Sequence, residues 1–208
     1  MADLPTHLIA VDTLQRFVGD IFVAAGTGRT EGDRIAHHLI GANLTGHDSH
    51  GVIRVPRYVQ NLKDGDVTAD AKITIVTEGP THAVIDGNMG FGQTVGPQAV
   101  DFGIAKAKQA GMCIIALRAS GHIGRIGDWG ERAAEQGLVS LHFVNVYQGQ
   151  LVAPFGGVDR RFPPTPYASR SRWRTASRRC CWISPPPWWP RARCWWPAMA
   201  ASRCRAMR

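Results

Sequence analysis

Apolar residues recur at helical spacing from Val11 to Ala25, with Leu14, Phe17, Val18, Ile21 and Phe22 on one stripe, and Gly26 and Gly28 end the run. A second helix is predicted from Glu31 to Leu44, capped by Thr30, with Ile35, Leu39, Ile40 and Leu44 turned inward. A third starts near Pro56, a residue suited to a first helical turn, and stops before Gly65. From Lys72 the period changes. Lys72–Glu78 and His82–Asp86 read as strands around the Gly79-Pro80 turn. A helix over Val95–Ala110, a buried strand over Met112–Leu117, a helix over Gly127–Gln136 and a strand over Leu138–Val144 follow. The pattern predicts a mixed α/β fold: a helical N-terminal unit over 1–70, then a partial α/β domain over 71–162. There is no internal repeat.

Beyond residue 162 the patterning stops. Residues 163–208 hold ten arginines, six of the seven Trp, four of the five Cys and eight of the thirteen Pro, with no Lys, Asp, Glu, Gly, Leu, Val or Phe. The whole chain carries 24 basic and 16 acidic groups and a formal charge of +8, which by itself suggests a nucleic-acid binder. Removing the ten tail arginines leaves 14 basic against 16 acidic groups, a net of −2 over residues 1–162. The body is thus slightly acidic. Cys113, its only cysteine, argues for a reducing compartment, and the start lacks a basic and then apolar leader. No apolar run approaches the roughly eighteen residues that a membrane span needs. A cytoplasmic protein without membrane or nucleic-acid partners is expected.

Arginines interleaved with tryptophans could bind single strands, but a segment without Leu, Val, Phe or Gly builds neither a core nor its turns. The genetic code offers another reading. Trp and Met have single codons, so starting each codon at the third base of the printed one forces several residues. Cys180-Cys181 and Cys181-Trp182 then give Leu, Trp182-Ile183 gives Asp, Trp188-Trp189-Pro190 gives Val-Ala, Cys194 to Pro197 gives Leu-Val-Ala, and Met199-Ala200 gives Gly. Phe162 to Tyr167 becomes compatible with S-T-N-P-L. The recovered text is that of an ordinary domain, so 163–208 reads as an out-of-frame tail, expected to be disordered.

The densest polar cluster of the body is His47-Asp48-Ser49-His50-Gly51, followed by Arg54 and Tyr58. A histidine exchanges protons near neutral pH, a neighbouring serine orients it, and an arginine grips a carboxylate with two parallel hydrogen bonds. The same cluster also suits a plain helix C-terminus, with histidines against the dipole and a glycine cap. Ser120-Gly-His-Ile-Gly124 places His122 just after a strand, where α/β folds commonly hold ligands, though a surface-loop histidine fits as well. Gly90-Phe-Gly92-Gln-Thr-Val-Gly96 imitates a dinucleotide fingerprint, but its last spacing is one residue too long and Arg118 stands where an acid is needed. It reads as a structural turn. No Cys/His/Asp set has metal-ligand spacing.

The run Gly46-His-Asp-Ser-His-Gly-Val-Ile-Arg-Val-Pro-Arg-Tyr58 resembles the signature of the malate/L-lactate dehydrogenase family, type 2, the non-Rossmann group. That group includes ureidoglycolate and sulfolactate dehydrogenases, diketogulonate reductase and piperideine-2-carboxylate reductase. Ser120 to Gly124 resembles its second histidine loop, and Val152-Ala-Pro-Phe-Gly-Gly157 with Arg160 and Arg161 resembles its A-P-x-G-G element. The shifted frame is compatible with its G-T-N-P and L-D-F-A-T-S elements. The resemblance implies a helical unit packed on a non-Rossmann α/β domain and a homodimer. It implies NAD- or NADP-dependent interconversion of a small 2-hydroxy acid and its 2-keto acid. His50, His122 and Ser49 would be catalytic, and Arg54 and Tyr58 would bind substrate. Members differ over which histidine is the acid/base; His50 in relay with Ser49, and His122 beside the reacting oxygen, is the arrangement expected here. Much of the cofactor contact would lie beyond residue 162, so an inactive fragment is the competing expectation, ahead of a nucleic-acid binder. Sequencing the DNA across codon 162 tests the tail: an uninterrupted second frame carrying the forced residues is expected, and its interruption by a stop codon refutes the reading.

Overall fold

The computed structural model describes residues 8–145, 153, 156–161, 167–172, 179–184 and 193–194. They form five helices and seven strands: α1 (Val11–Ala25), α2 (Arg29–Leu44), α3 (Val55–Lys63), β1 (Thr74–Glu78), β2 (His82–Gly90), α4 (Gly92–Ala110), β3 (Ile114–Ser120), α5 (Gly127–Glu135), β4 (Ser140–Phe143), β5 (Tyr167–Arg172), β6 (Arg179–Ser184) and β7 (Arg193–Cys194). The fold is mixed α/β, as the periodicity predicts. The chain divides into two compact units, Met1–Arg125 and Ile126–Arg208. The boundary expected at 70/71 therefore falls inside the first unit.

In the first unit, α1 and α2 pack together and α3 closes over them, burying Val18, Phe22, Ile35, Leu39, Val55, Tyr58, Val67 and Phe91 in one core. Two stripe residues behave differently from expectation. Phe17 is exposed because it lies at the edge of the α1 stripe, and Leu44 because nine residues of helix turn it to the side opposite Ile35. Helix α2 starts at Arg29 with Gly28 as its cap residue, so Thr30 lies in the first turn. The Gly28 amide is instead satisfied from a distance, donating to Asp70 Oδ2 at 2.7 Å. Glu31 is buried and turned inward, accepting from the Asp70 amide at 2.6 Å and from Thr94 Oγ1. Burial raises its pKa above the ordinary carboxylate value, against the pull of those donors.

The α/β part of this unit is a three-stranded sheet, β1 antiparallel to β2 and β2 parallel to β3, the parallel pair being joined through α4. Ala83, Ile85 and Ala99 are buried, with Ile115 and Leu117 against them. The strand expected to be buried throughout is not. β3 alternates, and Ile114 is 64% exposed because only alternate side chains share the face with Ile115 and Leu117. Arg118, where a dinucleotide site would have an acid, pairs with Asp86 across the strands at 2.9 Å.

In the second unit, α5 lies against β4 and β5 of the antiparallel sheet β4-β5-β6-β7. Ile126, Trp129, Ala133, Ala134 and Ala168 are buried. Leu141 and Phe143 of β4 are exposed. Within 163–208, β5 pairs with β4 from Tyr167 to Arg170, and Arg170 is 7% exposed, donating to Glu131 at 2.7 Å. Sheet ladders use backbone groups alone, which any non-proline residue supplies, and one buried arginine is tolerable once paired. Most of the segment expected to be disordered, 163–208, lies outside the described residues. No described helix is long and apolar enough to cross a membrane.

Phe22 has no solvent exposure and meets Phe91 edge-on, ring centroids 5.9 Å apart. Phe22→Ala should lower unfolding free energy by about 3–5 kcal/mol in urea titration. A loss below ~1 kcal/mol would show that this core does not carry the first unit.

Candidate active site

The segment after α2 is shaped by Asn43. Its Nδ2 donates to Asp48 Oδ1 at 2.7 Å and its Oδ1 accepts from the Val52 amide at 2.9 Å, so one side chain clasps both ends of the turn. Two short 3-10 turns result, Asp48–His50 and Val52–Arg54. Arg54 Nε donates to the Ser49 carbonyl at 2.6 Å, and Ser49 Oγ lies 2.9 Å from His50 Nδ1. Nothing engages the terminal amino groups of Arg54 among the described hydrogen bonds, which leaves an end-on fork for a planar anion.

Tyr58 stands one turn beyond Arg54 on α3, a spacing that puts both on one side of the helix. Its ring is buried against Phe22 and Phe91, while its hydroxyl reaches His122 Nδ1 at 2.6 Å. His122 follows β3, where Ala119 adopts a left-handed backbone (φ 48°) and the Gly121 amide bonds the Gly90 carbonyl at 2.8 Å. The His50 and His122 rings stack with centroids 5.2 Å apart. His122 is exposed at one edge, yet the protein packed around the rest of the ring, with the charges of His50 and Arg54 added, lowers its pKa from 6.5 to about 4. Burial likewise pushes Tyr58 up to about 12, partly opposed by the Gln93 hydrogen bond and by Arg54. Both are neutral at physiological pH.

All five residues singled out in the sequence, Ser49, His50, Arg54, Tyr58 and His122, thus belong to one site. Gln93 was missed. It is buried at the start of α4 and its Nε2 donates to the Tyr58 hydroxyl at 3.1 Å. Its signal was a polar residue, next to Thr94, inside the glycine-rich turn, concealed by the expectation that α4 begins only at Val95. The glycines there serve close packing: a Cβ on Gly92 would lie 2.5 Å from the His122 carbonyl and the Ile123 Cα, and one on Gly90 would meet Ala71 and Val95. At both positions the neighbouring chain occupies the place a side chain would take, which accounts for these glycines by packing. No group of three metal-ligating side chains occurs among the described residues. Of the A-P-x-G-G element, only Ala153, Gly156 and Gly157 are described.

Residues 9–169 match the malate/L-lactate dehydrogenase family. The chain belongs to that family. It is 42% identical to hydroxycarboxylate dehydrogenase B of Escherichia coli O157:H7 over 161 residues, which are 77% of this chain and 45% of that protein. It is 39% identical to malate dehydrogenase of Pyrococcus abyssi over 160 residues, 77% of this chain and 44% of that one. The fold superposes on sulfolactate dehydrogenase from Methanocaldococcus jannaschii with a TM-score of 0.79 at 29% identity, covering 86% of this chain and 51% of the other. This member therefore spans less than half the length of the curated relatives it matches. The match ends seven residues into the compositionally odd segment, leaving 170–208 outside it.

The His122 shift has a stability consequence with a definite sign. The fold holds the ring neutral, whereas the unfolded chain takes up a proton near 6.5; the resulting stabilisation is present above that pH and is lost as pH falls toward about 4. Urea titrations of the native chain and His122→Asn should show the native advantage shrinking over that window. A constant difference between pH 7 and pH 4 would contradict the shift.

Proposed function

We propose that these residues form the substrate half of an NAD- or NADP-dependent oxidoreductase site that interconverts a small 2-hydroxy acid and its 2-keto acid. The observation that carries the reading is the convergence of two stacked histidines, a serine, a buried tyrosine and an arginine fork within one site. Membership of a family whose named relatives act on hydroxycarboxylates, malate and sulfolactate supports it. What those substrates share is a carboxylate beside a carbinol carbon. Arg54 grips the carboxylate end-on, because its Nε is committed to Ser49. His50, oriented by Ser49, removes the hydroxyl proton, and His122 faces the same oxygen. A bound nicotinamide would supply the acceptor for the C2 hydrogen and its electron pair, while the substrate oxygen keeps the O–H pair as the carbonyl forms. In reduction the proton returns from His50.

A second reading has an observation of its own. The chain spans less than half of its relatives, and the composition of 163–208 is that of a segment read out of frame, so the 208-residue form is an inactive fragment of such an enzyme. Assay of this form beside a version with the frame restored after codon 162 separates the two. In the restored protein, His50→Ala and His122→Ala should each lower turnover about 10²–10⁴-fold with the fold retained. Arg54→Lys should raise KM for every 2-hydroxy acid, since an ammonium cannot form the fork. Turnover close to native in both histidine variants would remove the proposed site.

A further inference from the structure

The hydrogen-bond chain through Gln93, Tyr58 and His122 has only one consistent direction. Its fixed point is a donor without alternatives, the backbone N–H of Gly124, which is aimed at His122 Nδ1 at 3.3 Å. A ring nitrogen that receives an N–H offers its in-plane lone pair there and carries no proton. The Tyr58 hydroxyl, 2.6 Å from the same Nδ1, must therefore donate to it. Its oxygen is then the acceptor for Gln93, and the amide nitrogen, not the amide oxygen, has to face it. Gln93 has no solvent exposure, and its Oε1 has no hydrogen-bond partner among the described residues. A leucine or methionine would fill this place without leaving a buried carbonyl unsatisfied. The surroundings hold the amide in place: Gly124 is left-handed (φ 68°), and a Cβ there would lie 2.9 Å from Gln93 Nε2.

We infer that Gln93 is a positioning residue: its amide turns the Tyr58 hydroxyl toward His122 and thereby fixes His122 as the tautomer protonated on Nε2. The consequence for chemistry, which rests on the proposed function, divides the labour between the histidines. With its Nε2 already protonated and its Nδ1 occupied, His122 donates a hydrogen bond to the substrate oxygen and has no site for the hydroxyl proton. The proton passes to His50, the histidine paired with Ser49. Charge on the groups facing His122, namely His50 and Arg54, opposes a second proton on its ring.

The tautomer is readable without turnover. In the 208-residue chain labelled with ¹⁵N-histidine, long-range ¹H–¹⁵N correlation distinguishes a protonated from an unprotonated ring nitrogen, and His122→Asn identifies the signal by its loss. The native chain should show His122 with Nδ1 unprotonated and Nε2 protonated through the neutral range. Gln93→Glu replaces the donor with an acceptor, so the tyrosine hydroxyl should turn to the new carboxylate and the His122 proton should move to Nδ1. Gln93→Met, of similar length and without charge, should give a mixture of the two tautomers, and it decides the matter where the buried carboxylate prevents folding. A protonated Nδ1 in the native chain overturns the inference, as does an unchanged tautomer in both variants. Tautomer control seen in a catalytically silent chain sustains the positioning role and bears only on the proposed function.

Discussion

The contact on which the site depends is the hydrogen bond from the Tyr58 hydroxyl to His122, made between residues 64 positions apart. Tyr58 belongs to a helix whose apolar side is packed with Phe22 and Phe91, and His122 belongs to a loop leaving a β-strand. A phenol buried in that core keeps its proton and has little freedom of rotation, so it presents a donor at a fixed point. The imidazole that meets it is held on one edge and open on the other. Stacking with His50 then brings the second histidine, and through it Ser49, into the same small volume. Rigid packing on the helical side is what holds a loop histidine at a defined position.

Besides the apolar core, the elements around this contact are held by side chains that satisfy backbone groups. Asn43 clasps the turn carrying Ser49 and His50. Glu31 accepts from the Asp70 amide and from Thr94, whose hydroxyl also receives Arg34 at 3.1 Å, so that α2, the segment before β1, and α4 share one polar knot. Such knots are directional, and they fix the angle at which a loop departs. An apolar contact of equal strength would permit sliding. The glycines at 90 and 92 complete the arrangement by allowing α4 and the histidine loop to approach at a distance no side chain tolerates.

The second unit shows a different principle. Its β4 strand pairs with a segment from a region whose composition could not build a core. Ladder pairing draws on amide and carbonyl groups and is nearly indifferent to side chains, so an open strand edge accepts such a partner. Leu141 and Phe143 stay exposed on that strand. The residues of the candidate site all belong to the first unit, where side-chain complementarity sets the structure.

Local order was written plainly in the sequence. Helical periodicity located α1, α2 and α3 to within a few residues, alternation with turn residues located the sheet, and the order of polar residues from His47 to Tyr58 marked the site together with its family. These features depend on neighbours three or four positions apart, or on motifs kept within one loop, and such information is carried by the chain itself. Other features needed the folded molecule. Gln93 gave no periodic signal, since its partner Tyr58 lies 35 residues away. Gly28 received its partner from Asp70 where a local cap was expected. β3 proved half exposed, because the face a strand buries depends on what packs against it. The direction of the hydrogens from Gln93 to His122 was likewise decided only when the Gly124 amide came within reach of the ring. Hydrogen bonds between distant residues obey geometry that no spacing along the chain encodes, so the residue types were legible in the sequence and their pairing was settled by the tertiary structure.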